Sequence, residues 1–189
     1  ITDYKLNTYV QISSYTNVNK SIILEAISLC DHYEHIFSRT LAASELYKVN
    51  NKETSIISDE LYELIETGLE YSRLSDGAFD ITIGSVSRLW DFTSSVPDAS
   101  LISNALEYVD YTKVTLNTDT AGTHYIDMPD GFCIDLGAVA KGYIADKIKT
   151  FLVDNGVKSA IINLGGNVLC IGEKKKNTDF TIAVKKPFS

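Results

Sequence analysis

Apolar and polar positions alternate loosely over residues 4–15, which predicts an opening strand. The period then changes. Ile22, Ala26, Cys30, Tyr33 and Phe37 recur at helical spacing, with Ile23 and Ile27 beside them. They predict an amphipathic helix of about four turns. Residues 38–54 are polar and read as a loop. Ser58 has the character of an N-cap, and Asp59 and Glu60 follow where a helix start favours negative charge. Leu61, Leu64, Ile65, Gly68 and Leu69 continue that helix up to Ser75-Asp76-Gly77, a turn signal.

Pro97-Asp98 opens a shorter helix through Leu106. Residues 113–116 and 124–128 predict a hairpin around Asp119-Thr120-Ala121-Gly122, and residues 132–136 another strand. Ile144, Ile148, Phe151 and Leu152 define a helix that stops at Asn155-Gly156. Residues 159–164, 168–171 and 180–184 read as three more strands, with Lys174-Lys175-Lys176 as a solvated tip. Helices and strands mix without regular alternation, so an α+β fold is expected rather than a doubly wound sheet. There is no repeat or linker, and residues 1–189 read as a single domain.

Composition narrows the function. Acidic residues number 25 and basic ones 17, a net charge of −8. That field argues against broad nucleic-acid or anionic-membrane binding, and leaves room for a small positive cluster that grips an anion. No stretch reaches the roughly 18 apolar residues of a membrane span. The chain opens on Ile1-Thr2-Asp3, not Met, as a processed or trimmed chain would; a removed export signal or lipid anchor would leave no trace. Cys30, Cys133 and Cys170 are far apart and read as inert thiols, not a disulfide framework. His32 and His35 lie three apart on the first helix and read as exposed histidines rather than a metal pair; His124 has no partner nearby in sequence.

The chain has no G-x-x-x-x-G-K-[ST], G-x-G-x-x-G, H-E-x-x-H or G-x-S-x-G motif. P-loop, Rossmann, zincin and α/β-hydrolase chemistry all lose weight. Three other segments concentrate Gly, Asp, Asn and Lys against apolar runs. In Asp76-Gly77-Ala78-Phe79-Asp80-Ile81-Thr82-Ile83-Gly84, Asp80 and Thr82 would share one face of an extended chain. Such a pair can hold ribose hydroxyls, a base edge or a metal-bound water; a turn plus an edge strand, with Asp80 capping backbone amides, is the alternative. In Ile134-Asp135-Leu136-Gly137-Ala138-Val139-Ala140-Lys141-Gly142-Tyr143, a strand runs through small residues into a helix. Its free N–H groups and Lys141 suit an anion, and tight strand–helix packing with an exposed lysine is the alternative. In Ile162-Asn163-Leu164-Gly165-Gly166-Asn167, a Gly-Gly step joins two strands, either as a ligand turn or as a plain hairpin.

Taken together and in this order, the three segments resemble the signature of the ApbE family, the FAD:protein FMN transferases. The resemblance opens at Asn7-Thr8-Tyr9-Val10 and passes through Phe37-Ser38, Ser44-Glu45-Leu46, the Gly77 to Gly84 motif and Leu89-Trp90-Asp91-Phe92. The Asp135 to Tyr143 segment is similar to D-L-G-[GA]-[IV]-A-K-G-Y, and the Ile162 to Asn167 segment to I-N-x-G-G-[DN]. Ile182-Ala183-Val184-Lys185-Lys186-Pro187-Phe188 resembles the strand and I-x-x-P that follow. The resemblance covers essentially the whole chain.

It implies an ApbE-like, T-fold-related mixed sheet with helices. It implies an enzyme that cleaves the pyrophosphate of FAD with Mg²⁺, joins FMN to a Thr or Ser of an acceptor flavoprotein and releases AMP. It places Ala138 where relatives offer a main-chain carbonyl to the metal, and Lys141 and Asp80 as catalytic and FAD-contacting residues. Leu6, Ser44, Glu45 and Leu46 would line the same cleft. It also implies an exported lipoprotein on the outer face of the cytoplasmic membrane.

Three departures qualify the match. Leu6 replaces the usual Met, and Thr40 stands where relatives often carry a flavin-packing Tyr, a role open to Tyr47 or Trp90. Relatives also continue past the I-x-x-P segment, with a His-containing stretch and an Asp and Thr that complete the metal site. The full-length protein is therefore the expected enzyme. The 189-residue piece would be C-terminally incomplete, inactive or weakly active, with apolar surface where later strands would pack. Two other functions stay open: an FAD pyrophosphatase yielding free FMN and AMP, and a flavin-binding module without catalysis.

Overall fold

The predicted opening strand breaks in two. β1 (Thr2–Lys5) turns through Leu6 and Asn7 into β2 (Thr8–Ser14), with Lys5 paired to Thr8. Both turn residues have positive φ, 53° and 56°, as a two-residue hairpin turn requires. Asn suits that conformation and Leu does not, so hydropathy alone hid the turn.

The structure is a computed structural model and describes residues 1–90, 96–174, 178–184 and 186. The chain divides into two units: Ile1–Asp31 with Lys141–Ser189, and His32–Ala140. Helices α1 (Lys20–Phe37) and α6 (Gly137–Asp154) contribute residues to both.

In the first unit, β1, β2, β6 (Ala160–Leu164) and β7 (Asn167–Ile171) form one antiparallel sheet in the order β1-β2-β6-β7. Val10, Ile12, Ala160, Ile162 and Leu164 are buried on alternate positions. Ile23, Ala26, Ile27 and Cys30 of α1, and Ile144, Ala145, Ile148 and Leu152 of α6, complete this core. Each fully buried Ile or Leu contributes about 1.5–3 kcal/mol. As expected, α6 ends at Asn155-Gly156, where Val157 N–H bonds back to the Leu152 carbonyl at 2.9 Å.

Residues 180–184 form no strand. Phe180 packs on Tyr15, ring centroids 5.4 Å apart, while Ile182 and Val184 are exposed. An apolar alternation becomes a strand only when a neighbour takes its hydrogen bonds, and none does here among the described residues. Lys175, Lys176, Lys185, Pro187 and Phe188 lie outside the described residues, as do Asp91 and Phe92.

The second unit contains α2 (Glu45–Asn50), β3 (Ile56–Ile57), α3 (Asp59–Leu74), α4 (Gly84–Ser87), α5 (Ala99–Leu106), β4 (Thr115–Thr118) and β5 (His124–Asp127). The strands form an antiparallel sheet in the order β3-β5-β4. Helix α2 lies inside the segment read as loop. Its physical basis is a Ser44 cap, whose Oγ accepts from Tyr47 N–H at 3.1 Å, and the buried pair Leu46 and Val49. The Ser58 cap of α3 is found as expected, with Leu61 N–H donating to Ser58 Oγ at 3.3 Å. The β4–β5 hairpin and α5 also follow the sequence reading.

The strand expected at residues 132–136 is reduced to one parallel bridge, Ile83 with Cys133. Its backbone is satisfied mostly by side chains rather than by a ladder. Cys30, Cys133 and Cys170 form no disulfide among the described residues, and the first two are buried. His32 faces Glu60 at 3.4 Å.

Candidate active site

The backbone leading into α6 is gripped from several sides. Cys133 N–H donates to Ser85 Oγ at 3.0 Å. Ile134 N–H donates to Asn50 Oδ1 at 2.8 Å, and its carbonyl accepts from Asn50 Nδ2 at 2.9 Å. Asp135 N–H donates to the Ile81 carbonyl at 2.8 Å. Gly84 allows this approach: a Cβ there would stand 2.3 Å from the Cys133 carbonyl oxygen.

The Asp135 side chain then closes the corner. Its Oδ1 accepts Gly137 N–H at 2.9 Å, and its Oδ2 accepts Ser87 Oγ at 2.8 Å and Arg39 Nε at 3.1 Å. Both ion-pair side chains are only about a fifth to a quarter exposed (21% and 24%). The sequence leaves this helix start open either as an anion site or as tight strand–helix packing. In the structure a carboxylate of the chain already bonds its first N–H, which is how a helix start is ordinarily satisfied. Arg39 offsets that carboxylate, so the corner is close to neutral before any ligand arrives.

Gly137 and Ala138 remain exposed in the first turn of α6. Beside them lies an apolar recess of about 590 Å³ lined by Tyr71, Leu74, Ser75, Phe79, Ala138 and Val139. An exposed backbone turn next to an apolar wall suits a ligand that is planar and apolar at one end and polar at the other.

Asp80 follows Phe79 but turns away to hold a loop. Its Oδ1 accepts Thr82 N–H at 2.7 Å and the Thr82 hydroxyl at 2.6 Å; its Oδ2 accepts Tyr111 N–H at 2.9 Å. The buried Thr82 Oγ1 also accepts Asp110 N–H at 2.9 Å. The pairing of Asp80 with Thr82 is thus present, but through a turn and not through a strand face. Of the two readings open in the sequence, the amide-capping one describes this carboxylate.

Ser44 is fully buried; its hydroxyl donates to the Ser38 carbonyl and caps α2. Leu46 is fully buried in the core. Glu45 accepts the Ser58 hydroxyl at 2.8 Å and so ties α2 to the start of α3. Of these three, Glu45 alone is partly exposed. Tyr47 and Trp90 are half-buried. These residues, with Asp80 and Ala138, belong to the His32–Ala140 unit; Leu6 and Lys141 belong to the other. Lys141 stands three residues after Ala138 in α6, and Leu6 in the β1–β2 turn.

The Gly165-Gly166 step makes a tight β6–β7 turn, with φ of 61° and 98° and Leu164 paired to Asn167. Asn163 Oδ1 accepts Gly166 N–H at 2.8 Å, the plain-hairpin alternative. Among the described residues no group of three or more His, Cys, Asp or Glu could hold a metal ion. Sequence reasoning assigned no role to Arg39, Asn50 or Ser87. Arg39 meets Asp135 across 96 positions and Asn50 meets Ile134 across 84, so no local pattern announces either contact.

Comparison with known proteins places these features in a lineage. A protein of Klebsiella pneumoniae (strain 342) named FAD:protein FMN transferase is 33% identical over 177 residues, covering 90% of this chain and 54% of that protein. A Treponema pallidum (strain Nichols) protein of the same name is 31% identical over 159 residues, covering 79% and 44%. The chain thus spans about half the length of these relatives. The crystal structure of the ApbE protein from Thermotoga maritima superposes with a TM-score of 0.86 at 28% identity, over 100% of this chain and 63% of that one. The flavin transferase ApbE from Vibrio cholerae, at 20% identity and a TM-score of 0.85, shares the fold. The family model described as the ApbE family matches residues 6–189, and the chain belongs to the ApbE family.

Proposed function

We propose that this chain belongs to an FAD:protein FMN transferase. The observation that carries the reading is the family match over residues 6–189, joined to 33% identity with a relative of that name. The exposed first turn of α6 beside an apolar recess supports it.

In this reading a Thr or Ser hydroxyl of an acceptor flavoprotein attacks the FMN phosphorus of FAD. A new P–O bond forms, the pyrophosphate P–O bond breaks, AMP leaves with the bridging oxygen, and the hydroxyl proton passes to water. Such a transfer is accelerated mainly by positioning and by charge stabilisation. Lys141 contributes a positive charge toward FAD. Leu6 contributes to FAD binding, and so does the Ser44-Glu45-Leu46 segment, in which Ser44 and Leu46 are buried and Glu45 is half-buried. Asp80 contributes as a frame. Its oxygens accept hydrogen bonds from Thr82 and Tyr111, so it also holds the turn after Phe79.

Mg²⁺ belongs to the same proposal. The described residues do not fit the ion by themselves. Ala138 offers a carbonyl, while the Asp80 and Asp135 carboxylates are engaged. Mg²⁺ demands a near-ideal set of oxygens, which one carbonyl does not supply. An exported, lipid-anchored location on the outer face of the cytoplasmic membrane completes the proposal; cell fractionation and the mass of the mature N-terminus test it.

The deciding experiment is the intact mass of an acceptor domain incubated with FAD, Mg²⁺ and the protein at its full natural length. A gain of one FMN with AMP release, abolished by chelation, is the expected result. Free FMN and AMP without that gain make the protein a pyrophosphatase. FAD binding with neither product makes it a binding module.

A further inference from the structure

Arg39, Ser87, Asp135 and Gly137 all lie in the His32–Ala140 unit and meet at the start of α6. Asp135 Oδ1 holds the Gly137 N–H at 2.9 Å, so the exposed first turn keeps its shape only while that carboxylate keeps its place. Ser87 Oγ at 2.8 Å and Arg39 Nε at 3.1 Å both donate to the other oxygen, Oδ2. The two donors differ in what they supply. Ser87 is neutral and orients the carboxylate. Arg39 orients it and also offsets its charge.

That charge matters to an anionic ligand. In the transferase reading the apolar recess beside Ala138 takes the flat end of FAD, and the diphosphate falls at the exposed turn. The diphosphate is a dianion at neutral pH. A carboxylate without its counter-charge at this corner would repel it. The Arg39 and Asp135 side chains are only 21% and 24% exposed, so water would screen that repulsion incompletely. The net charge of −8 on the whole chain adds to it.

We propose that Arg39 is a positioning residue for FAD that acts through Asp135. It keeps the carboxylate on the Gly137 amide and removes the negative charge that would turn the diphosphate away. The inference rests on the transferase reading. Among the described residues Asp135 is the one acceptor bonded to Arg39, and it is bonded through Nε alone. The corner therefore uses a single charged donor and not the two-pronged face of a guanidinium, a demand that a lysine can also meet.

The test uses the protein at its full natural length. FAD binding is followed by the change in flavin fluorescence, and FMN transfer by the intact mass of an acceptor domain. Arg39→Met should weaken FAD binding and raise the FAD KM about tenfold at low salt, while kcat changes less than about twofold. High salt should shrink that deficit. Arg39→Lys should bind FAD within about threefold of the unmutated protein, and Ser87→Ala within about twofold, because Arg39 still holds the carboxylate. Asp135→Asn added to Arg39→Met should recover most of the lost affinity, since Asn keeps an oxygen for the Gly137 N–H and carries no charge. Melting temperatures confirm that each variant folds. Unchanged FAD binding in Arg39→Met overturns the proposal. So does a loss that salt leaves unaltered, or one that Asp135→Asn does not relieve. FAD binding without FMN transfer by the unmutated protein overturns the transferase reading, and the same titrations still decide the role of Arg39. Absence of both overturns both.

Discussion

Asp80 and Asp135 stand in two of the three motifs, and each carboxylate accepts three hydrogen bonds, yet the fold holds them differently. Asp80 is faced by two backbone amides and the hydroxyl of Thr82, two residues on. Asp135 is faced by one amide and by the side chains of Ser87 and Arg39, which come from distant segments. Backbone donors are fixed by the chain path and cannot withdraw without unmaking a turn. Side-chain donors can swing to another acceptor. The first carboxylate is therefore committed to shape, and the second can rearrange its partners within an unchanged fold.

Mutation sharpens that contrast. Asp80→Ala orphans three donors at a half-buried turn, and should lower unfolding free energy by about 3 kcal/mol in urea titration. Thr82→Val removes the hydroxyl that links Asp80 to Asp110 N–H and should cost about 2 kcal/mol. Asp135→Ala should cost less, about 1 kcal/mol, because Arg39 and Ser87 can turn to water. A cost for Asp135→Ala equal to that for Asp80→Ala would break the comparison.

Two further aspartates, Asp110 half-buried and Asp119 exposed, extend it to smaller effects. The Thr112 hydroxyl, first among its causes, holds the Asp110 carboxyl below the usual carboxylate range. The Thr123 backbone N–H, first among several, does the same for Asp119. A native pKa below the unfolded one gives stabilisation that is complete above the ordinary carboxylate pKa, roughly 3.9. It is lost as pH falls through the native value. Residue-resolved NMR titration should give both midpoints below that of an unstructured Asp. A midpoint at or above it would remove the hydrogen bonds as the cause.

What the sequence made legible follows the same division. Local signals worked: the Ser58 cap, the Ser75-Asp76-Gly77 stop, the β4–β5 hairpin and the Gly165-Gly166 turn each depend on neighbours a few residues away. Helix α2 escaped because six residues bury only Leu46 and Val49, too few to establish a period. The Leu6-Asn7 turn escaped because a leucine sits where the backbone asks for Gly or Asn. For the candidate site, resemblance named positions, and the contacts those side chains make were not legible. Asp80 reaches Tyr111 across 31 residues and Arg39 reaches Asp135 across 96, distances over which periodicity is silent.

Asn50 draws these threads to one peptide. Its side-chain amide both donates to and accepts from Ile134, the exchange that a neighbouring strand would make. A single side chain at the end of α2 thus stands in for a missing strand. Deuterium uptake at the Ile134 amide should be slow although it lies outside any ladder, and it should become fast in Asn50→Ala while the hairpin amides keep their protection. The isotope clock at that one peptide then reads the opening of a helix more than eighty residues earlier in the chain.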